Sequence, residues 1–267
     1  MADVRSHAVD TPTQPVSVDA RRTFALVLAY DGTDFHGWQV QPDAPTIQGA
    51  LLEAARRFLG DDARIVGASR TDAGVHALGQ VASLSLARRE LDANAVQGAL
   101  NAALPAAIRV RHVAEAPAGF DARRSAAGKR YAYVIDNARV AMPLWRRVAW
   151  HVAAPLDVPA MRAAAAVLCG AHDFSAFCAA PGREATPVCR VRGLHVMRRR
   201  TRVAVLISAD RFLHHMVRNI VGSLVEVGRG ARSPAWLADV LQARDRTQAG
   251  PTAPAQGLVL VRVRYPG

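Results

Sequence analysis

One short polar segment of this 267-residue chain combines residue types that enzymes use for acid, base and nucleophilic chemistry. Residues 67–76 read GASRTDAGVH and lie between two stretches predicted as strands. The carboxylate of Asp72 is a candidate nucleophile or general base. Arg70 can favour its ionised form through an ion pair, and Gly74 lets a ligand approach the backbone closely. The alternative is a turn in which Asp72 only accepts hydrogen bonds from nearby backbone amides.

A second group of candidate residues surrounds the only lysine of the chain. Tyr131 follows Lys129 and Arg130 at the start of a predicted strand. An aromatic ring beside two cations can hold an unstacked nucleobase while the cations bind phosphate. The alternative is a strand tyrosine that packs in the core, and the spacing does not separate the two.

The charge balance favours a polyanionic partner. Lys and Arg number 34 against 22 Asp and Glu, a formal net charge of +12, and 33 of the cations are arginines. Residues 1–133 carry 15 cationic and 14 acidic side chains, whereas residues 134–267 carry 19 and 8. A GC-rich genome explains the preference for arginine but not an excess of cations in one half. Nucleic acid is the favoured partner, because each neutralised phosphate releases counterions.

A third group of candidates lies on a predicted amphipathic helix over residues 211–227. Its apolar stripe consists of Leu213, Met216, Val217, Ile220 and Leu224. The other face carries Arg211, His214, His215 and Arg218. Adjacent histidines diverge by about 100° on a helix and lack the i, i+4 spacing of a zinc site. We therefore predict that this face contacts RNA or an active site and holds no metal.

Several classes of protein are excluded or disfavoured by what the sequence lacks. Lys129 has neither the upstream glycine nor the following hydroxyl residue of a P-loop, which excludes a Walker-type NTPase. Cys169, Cys178 and Cys189 have no CxxC spacing, which argues against a zinc site and a disulfide framework and fits a cytoplasmic protein. The apolar run Phe24–Tyr30 has seven residues, too few to span a membrane.

Hydrophobic periodicity predicts the element order β-α-β-β-α-β in each half of the chain. In the first half, strands are predicted at Phe24–Tyr30, Arg64–Ala68, Gln80–Leu86 and Ile108–Ala114, with helices between Thr46 and Gly60 and between Asp92 and Leu104. In the second half, strands are predicted at Tyr131–Ile135, Val188–Met197, Arg202–Ser208 and Leu258–Val263, with helices at Val158–Leu168, Arg211–Val227 and Pro234–Leu241.

Two such units predict an α+β fold made of two ferredoxin-like β-α-β-β-α-β halves. We expect their antiparallel sheets to join, with a cleft at the seam. Residues 1–22 are predicted to be a disordered tail. The N-terminal half then covers residues 23–122 and carries Asp72, and the basic C-terminal half covers residues 123–267.

Six sequence blocks together resemble the tRNA pseudouridine synthase A family. They are YDGTDFHGWQ at 30–39, GASRTDAGVHA at 67–77, KRY at 129–131, DFSAF at 173–177, FLHHMVRNIVG at 212–222 and AQGL at 255–258. The blocks run in order along the chain from residue 30 to residue 258. Several long motifs in register are far more specific than one short motif.

The resemblance implies an activity and a set of site residues. Such enzymes isomerise uridine to pseudouridine at positions 38, 39 and 40 in the anticodon arm of tRNA, without metal or organic cofactor and as homodimers. The matching motifs imply that Asp72 is the catalytic aspartate, that Tyr131 packs against the target base and that Arg218 lies near the carboxylate. Arg70 completes the predicted substrate-binding set.

Two other functions remain open on the residues alone. One is a non-enzymatic RNA-binding module, since ferredoxin-like sheets also build RRM domains. The aromatic RNP pattern of that module is absent from the sequence. The other is an RNA hydrolase that uses Asp72 with His76.

Overall fold

The computed structural model describes residues 21–87, 91–117, 119–179 and 186–266 of the chain. The predicted tail lies outside these residues apart from Arg21 and Arg22, and the first strand already begins at Arg22. The first half contains β1 (Arg22–Tyr30), α1 (Ile47–Leu59), β2 (Arg64–Gly67), β3 (His76–Leu86), α2 (Ala93–Ala103) and β4 (Ile108–Glu115). The second half contains β5 (Gly128–Asp136), β6 (Trp150–His151), α3 (Val158–Ala166), β7 (Gly170–Asp173), β8 (Val188–Arg199), β9 (Arg202–Ala209), α4 (Met216–Gly228), α5 (Trp236–Ala243) and β10 (Leu258–Arg264).

The strands form a single mixed, mostly antiparallel sheet of ten strands. Its order is β4-β1-β3-β10-β5-β9-β8-β7, with β2 paired to β3 and β6 paired to β5. The last strand, β10, runs parallel to β3 and antiparallel to β5, so it joins the strands of the two halves. The segment that carries Asp72 lies between β2 and β3, close to this junction.

Burial alternates along two of the strands, as expected where one face of a sheet packs against a core. Along β1 and β9 every second residue is buried and the residues between are half-buried. The buried strand residues share one core cluster with helix residues such as Leu51, Val96, Met161 and Ile220. In the described part of the chain, no helix is long and apolar enough to cross a membrane.

Two of the predicted helix starts are confirmed by capping hydrogen bonds. The side chain of Thr46 accepts a hydrogen bond from the amide of Gly49, and that of Asp92 accepts one from Ala95. Each residue thereby satisfies an amide that the first helical turn leaves without a partner. The N-terminal bounds of α1 and α2 were therefore readable from the sequence.

The predicted start of the helix at Arg211 is wrong. Helix α4 begins at Met216, and residues 211–215 form an irregular loop in which His215 adopts a left-handed backbone conformation with φ 59°. The apolar stripe extends beyond the helix because Leu213 is buried from the loop. Periodicity reports which residues face the core and not where the helical hydrogen bonds begin.

We expect Gly67→Ala to lower the free energy of unfolding by about 1–3 kcal/mol, because it overpacks the core behind Asp72. An added Cβ would lie 2.3 to 2.5 Å from three atoms of the Trp38 ring, which is 1% exposed. The matched control is Gly98→Ala on α2, where nothing lies within 4 Å of the added carbon. This control is expected to stabilise the protein by about 0.5–1 kcal/mol. Equal thermal midpoints for the two variants would contradict tight packing at Gly67.

Candidate active site

A cavity lies at the junction of the two halves of the chain. It has a volume of about 720 Å³ and is lined on one side by residues 68–72 and on the other by residues around 123–131 and 210–217. Asp72, Tyr131, Arg70, His214 and His215 all line it. The fold therefore brings three of the four predicted site residues to one cleft, and the fourth, Arg218, reaches it through Asp72.

Asp72 lies in a loop that is fixed by hydrogen bonds to residues 30–38 of the first half. The backbone amide of Trp38 donates to the carbonyl of Thr71 at 3.0 Å, and the amide of Gly74 donates to Phe35 at 3.2 Å. The hydroxyl groups of Tyr30 and Thr71 are 2.8 Å apart in a buried hydrogen bond. These contacts leave the Asp72 side chain 24% exposed, so it is anchored at its backbone and open toward the cleft.

Arg218 is the cationic partner of the Asp72 carboxylate. Its Nη1 donates to Oδ2 of Asp72 at 3.1 Å, and its Nε donates to the carbonyl of Ala253 at 2.7 Å. The guanidinium is therefore fixed at two points, and it holds the carboxylate in one orientation. The predicted position of Arg218 near the carboxylate agrees with this geometry.

Arg70 does not form the predicted ion pair with Asp72. Its side chain is exposed and lines the cleft, and the guanidinium that contacts Asp72 belongs to Arg218. Residues 69–72 form an irregular loop between β2 and β3, so a spacing of two residues does not by itself bring the two side chains together. Arg70 remains available at the cleft for a ligand.

Two histidines stand beside the same carboxylate. Nε2 of His215 lies 3.3 Å from Oδ2 of Asp72, and Nε2 of His214 lies 3.9 Å from Oδ1. Their rings are 3.9 Å apart between centroids. Burial lowers the pKa of His215, and the opposing effect of the Asp72 carboxylate only partly offsets it.

Helical spacing does not separate His214 from His215, and that prediction is wrong. Both precede α4, and the turn at His215 lets both rings face Asp72. Ligand atoms of Asp72, His214 and His215 lie within 4.8 Å of one another, a set that zinc accepts. The Arg218 guanidinium already occupies Oδ2 and would compete with a cation there. That the site works without metal remains a prediction.

Tyr131 combines the two roles that the sequence left open. It is 6% exposed, and its hydroxyl lies 2.8 Å from the hydroxyl of Ser69. Its ring meets Phe212 edge-on at 5.0 Å between centroids. Burial raises the pKa of Tyr131 to about 12, so the phenol is neutral at physiological pH. Tyr131 is thus a packed strand residue whose remaining surface faces the cleft.

His76 is placed by the structure away from the cleft lining. Its Nδ1 accepts a hydrogen bond from the amide of Gly32 at 3.1 Å. Nδ1 also lies 3.2 Å from Oδ1 of Asp31, and Nε2 contacts the carbonyls of Arg147 at 2.8 Å and Gln256 at 3.1 Å. Both ring nitrogens thus contact backbone groups, so His76 connects three chain segments. This geometry does not support a hydrolase in which His76 acts with Asp72.

Sequence reasoning missed three residues that shape the cleft. Ser69 and Phe212 position the ring of Tyr131, and Arg123 lines the cleft beside Lys129. Ser69 and Phe212 belong to the motifs quoted above but carry no chemistry of their own. Arg123 lies in a polar connecting stretch with no pattern around it, so no sequence signal singled it out.

Comparisons with known proteins agree on one family. The family model described as tRNA pseudouridine synthase matches residues 26–123 and 164–266. The tRNA pseudouridine synthase A of Myxococcus xanthus is 48% identical over 241 residues, 90% of this chain and 91% of the relative. Those of Xanthobacter autotrophicus and Azorhizobium caulinodans are 46% and 47% identical, over 91% of this chain and over 99% and 94% of the relatives.

Proposed function

Because the chain belongs to the tRNA pseudouridine synthase family, we propose that it isomerises uridine at positions 38, 39 and 40 of the tRNA anticodon stem-loop. Asp72 is the catalytic group of this proposal. The observation that carries it is a carboxylate, 24% exposed, held at a cationic cleft by Arg218. The proposal also explains the excess of cations, since tRNA is a polyanion.

The reaction suits a site with a single ionised carboxylate. Uridine and pseudouridine contain the same atoms, so no oxidant, reductant or second substrate is consumed. The N1–C1′ bond breaks, the uracil turns, C5 joins C1′, the proton on C5 is lost to solvent, and N1 takes up a proton in its place. Attack on C1′, attack on C6 and removal of a sugar proton are the routes open to Asp72. Each of them needs a carboxylate held in one orientation, which the contact with Arg218 provides.

Tyr131 supports the extrusion of the target base. A uridine stacked in the anticodon arm cannot reach a side chain inside a cleft, so the base has to be flipped out. The ring of Tyr131 is fixed by Ser69 and Phe212 and faces the cleft that Asp72 lines. A rigid aromatic surface beside the carboxylate is suited to hold the extruded uracil.

The strand order supports two ferredoxin-like halves as the finer description of the fold. The first half has the order β4-β1-β3-β2, and the second has β10-β5-β9-β8. In each half this is the order fourth, first, third and second strand, with β6 and β7 as additions. We infer that residues 23–122 and 123–267 are the two units, and that β10 beside β3 forms their seam.

We further infer that the enzyme acts as a homodimer in the cytoplasm. The homodimer rests on the family resemblance. A cytoplasmic location is supported by the tRNA substrate and by the three cysteines, which are thiols rather than disulfides.

The proposed function is tested by mapping pseudouridine in tRNA from a strain that lacks the protein. Uridines at positions 38, 39 and 40 are expected to remain unmodified, and the purified protein is expected to modify them in that tRNA without added metal or cofactor. Pseudouridine at these positions in the deletion strain would contradict the proposal. Cleaved tRNA would favour a hydrolase, and binding without modification would favour an RNA-binding module.

Arg218→Gln is expected to lower kcat by about 10²-fold with a smaller change in KM, since small displacements of a catalytic group cost about that much. The change removes the contact that orients Asp72 and its link to Ala253. Arg218→Lys should recover only part of the rate, because an ammonium lacks the planar fork. Arg229→Gln, which removes a surface ion pair with Glu226, is the control. A raised KM with an unchanged kcat would show that Arg218 only binds tRNA.

A further inference from the structure

The only lysine of the chain lies in the same cleft as Asp72. Lys129 is on β5, and two residues further on the same strand is Tyr131. Alternate residues of a strand share a face, so the two side chains leave the sheet on one side about 7 Å apart. Both line the cleft, together with Arg123 and Arg211. Three cations therefore converge beside the ring that the proposed function assigns to the target base.

The electrostatic surroundings of Lys129 are cationic. Burial and, to a smaller extent, the guanidinium groups of Arg123 and Arg211 together lower the pKa of Lys129 to about 8. Asp210 also lines this part of the cleft, but its Oδ1 accepts hydrogen bonds from the backbone amides of Arg190 and Arg211. Among the described residues, no carboxylate forms an ion pair with Lys129.

Other charged groups of the cleft do not change this balance. Asp72 faces Arg218, His214 and His215, and Arg70 adds a further cation to the lining. A partly buried ammonium with two guanidinium neighbours is unfavourable until an anion joins it. An anionic ligand can supply the negative charge that Lys129 lacks among the described residues.

We propose that Arg123, Lys129 and Arg211 form a subsite for a phosphodiester group of the RNA backbone next to the target uridine. This inference rests on the proposed function and states how the same site binds the backbone of its RNA substrate. Tyr131 holds the base, and Lys129, two residues before it on β5, holds a phosphate. The subsite thereby fixes the position of the extruded nucleotide relative to Asp72.

Proton uptake on binding is the signature of this subsite. A phosphate raises the pKa of Lys129 in the complex, so affinity is full below the pKa of the free protein and falls as the pH rises through it. Since that pKa is about 8, about half a proton per complex is taken up at pH 8. Arginine at position 129 is charged at all these pH values and takes up none.

The first experiment measures tRNA binding by calorimetry in two buffers with different ionisation enthalpies. The full-length protein is compared with Lys129→Arg and Lys129→Met, and Arg56→Met on the exposed side of α1 controls for lost charge. We expect proton uptake at pH 8 for the wild type and for Arg56→Met, with the Lys129 contribution absent from both Lys129 variants. Lys129→Met should also reduce the salt slope of log K by about 1. Equal proton uptake in wild type and Lys129→Arg would overturn the subsite.

The second experiment locates the phosphate. Full-length tRNA is assembled by ligation with single neutral methylphosphonates on either side of each target uridine. We expect one such position to weaken binding of the wild type at least tenfold more than binding of Lys129→Met. No coupling at any position would overturn the subsite.

Failure of this inference is separable from failure of the proposed function. Both experiments measure binding and need no turnover, whereas the proposed function is judged by pseudouridine at positions 38, 39 and 40. Modified tRNA without the Lys129 signature removes the subsite alone. The Lys129 signature with unmodified tRNA removes the reaction and retains the subsite.

Discussion

Asp72→Asn is expected to bind tRNA with nearly unchanged affinity and to form no pseudouridine, a loss in kcat of more than about 10³-fold. The amide has the same shape as the carboxylate, and its oxygen can still accept the hydrogen bond from Arg218 at the 3.1 Å contact. What it lacks is the negative charge that nucleophilic attack or proton removal requires. Activity is measured by the release of tritium from tRNA labelled at C5 of uridine.

A matched variant separates catalysis from a general effect of lost charge. Asp61→Asn removes a carboxylate from an exposed turn after α1, and we expect it to leave both binding and tritium release unchanged. Undiminished release by Asp72→Asn would disprove its catalytic role. Loss of tRNA binding together with activity would instead show that Asp72 mainly holds the cleft in shape, and thermal unfolding of the variant would then show a lowered midpoint.

Most of the architecture was readable from local patterns. The caps at Thr46 and Asp92 mark the starts of α1 and α2, because short polar side chains satisfy the first free amides of a helix. Alternating hydrophobicity predicted most strands, since side chains on a strand alternate between faces. The alternating burial along β1 and β9 matches that pattern. The parallel contact between β3 and β10 carries no such local signal, because the two strands are far apart in the chain.

The electrostatics of the candidate site could not be read from neighbouring residues. Arg70 is two positions from Asp72 and yet the partner of the carboxylate is Arg218, 146 positions away. The two histidines face Asp72 only because His215 adopts a left-handed backbone conformation, which a non-glycine residue rarely does. Both facts depend on tertiary packing. The family resemblance predicted that Arg218 lies near the carboxylate, whereas spacing alone favoured Arg70 as its partner.

Because Tyr131 is buried, a substitution that tests its role must not also create a cavity. Its ring is packed against Phe212 and its hydroxyl against Ser69, so alanine at this position would leave a cavity and lower stability by about 3–5 kcal/mol. A loss of activity in Tyr131→Ala alone would therefore mix packing with substrate contact. Tyr131→Leu keeps most of the volume and removes the aromatic face, which makes it the sharper test.

Tyr131→Leu is expected to lower kcat/KM about 5- to 150-fold, the equivalent of the about 1–3 kcal/mol that stacking of a base on an aromatic ring contributes. Tyr131→Ala should lose at least as much. Tyr131→Phe should stay within about tenfold of the wild type, since it loses only the hydrogen bond with Ser69. Activity is measured by tritium release under single-turnover conditions.

Ser69→Ala is the matched control, because it removes the same hydrogen bond from the other side. If the hydroxyl of Tyr131 serves only to position the ring, Ser69→Ala and Tyr131→Phe have equal and small effects. A phenylalanine variant as inactive as the leucine variant, beside an active Ser69→Ala, would contradict stacking as the main role. The phenol itself would then take part in proton transfer, although burial holds its pKa near 12 in the free protein.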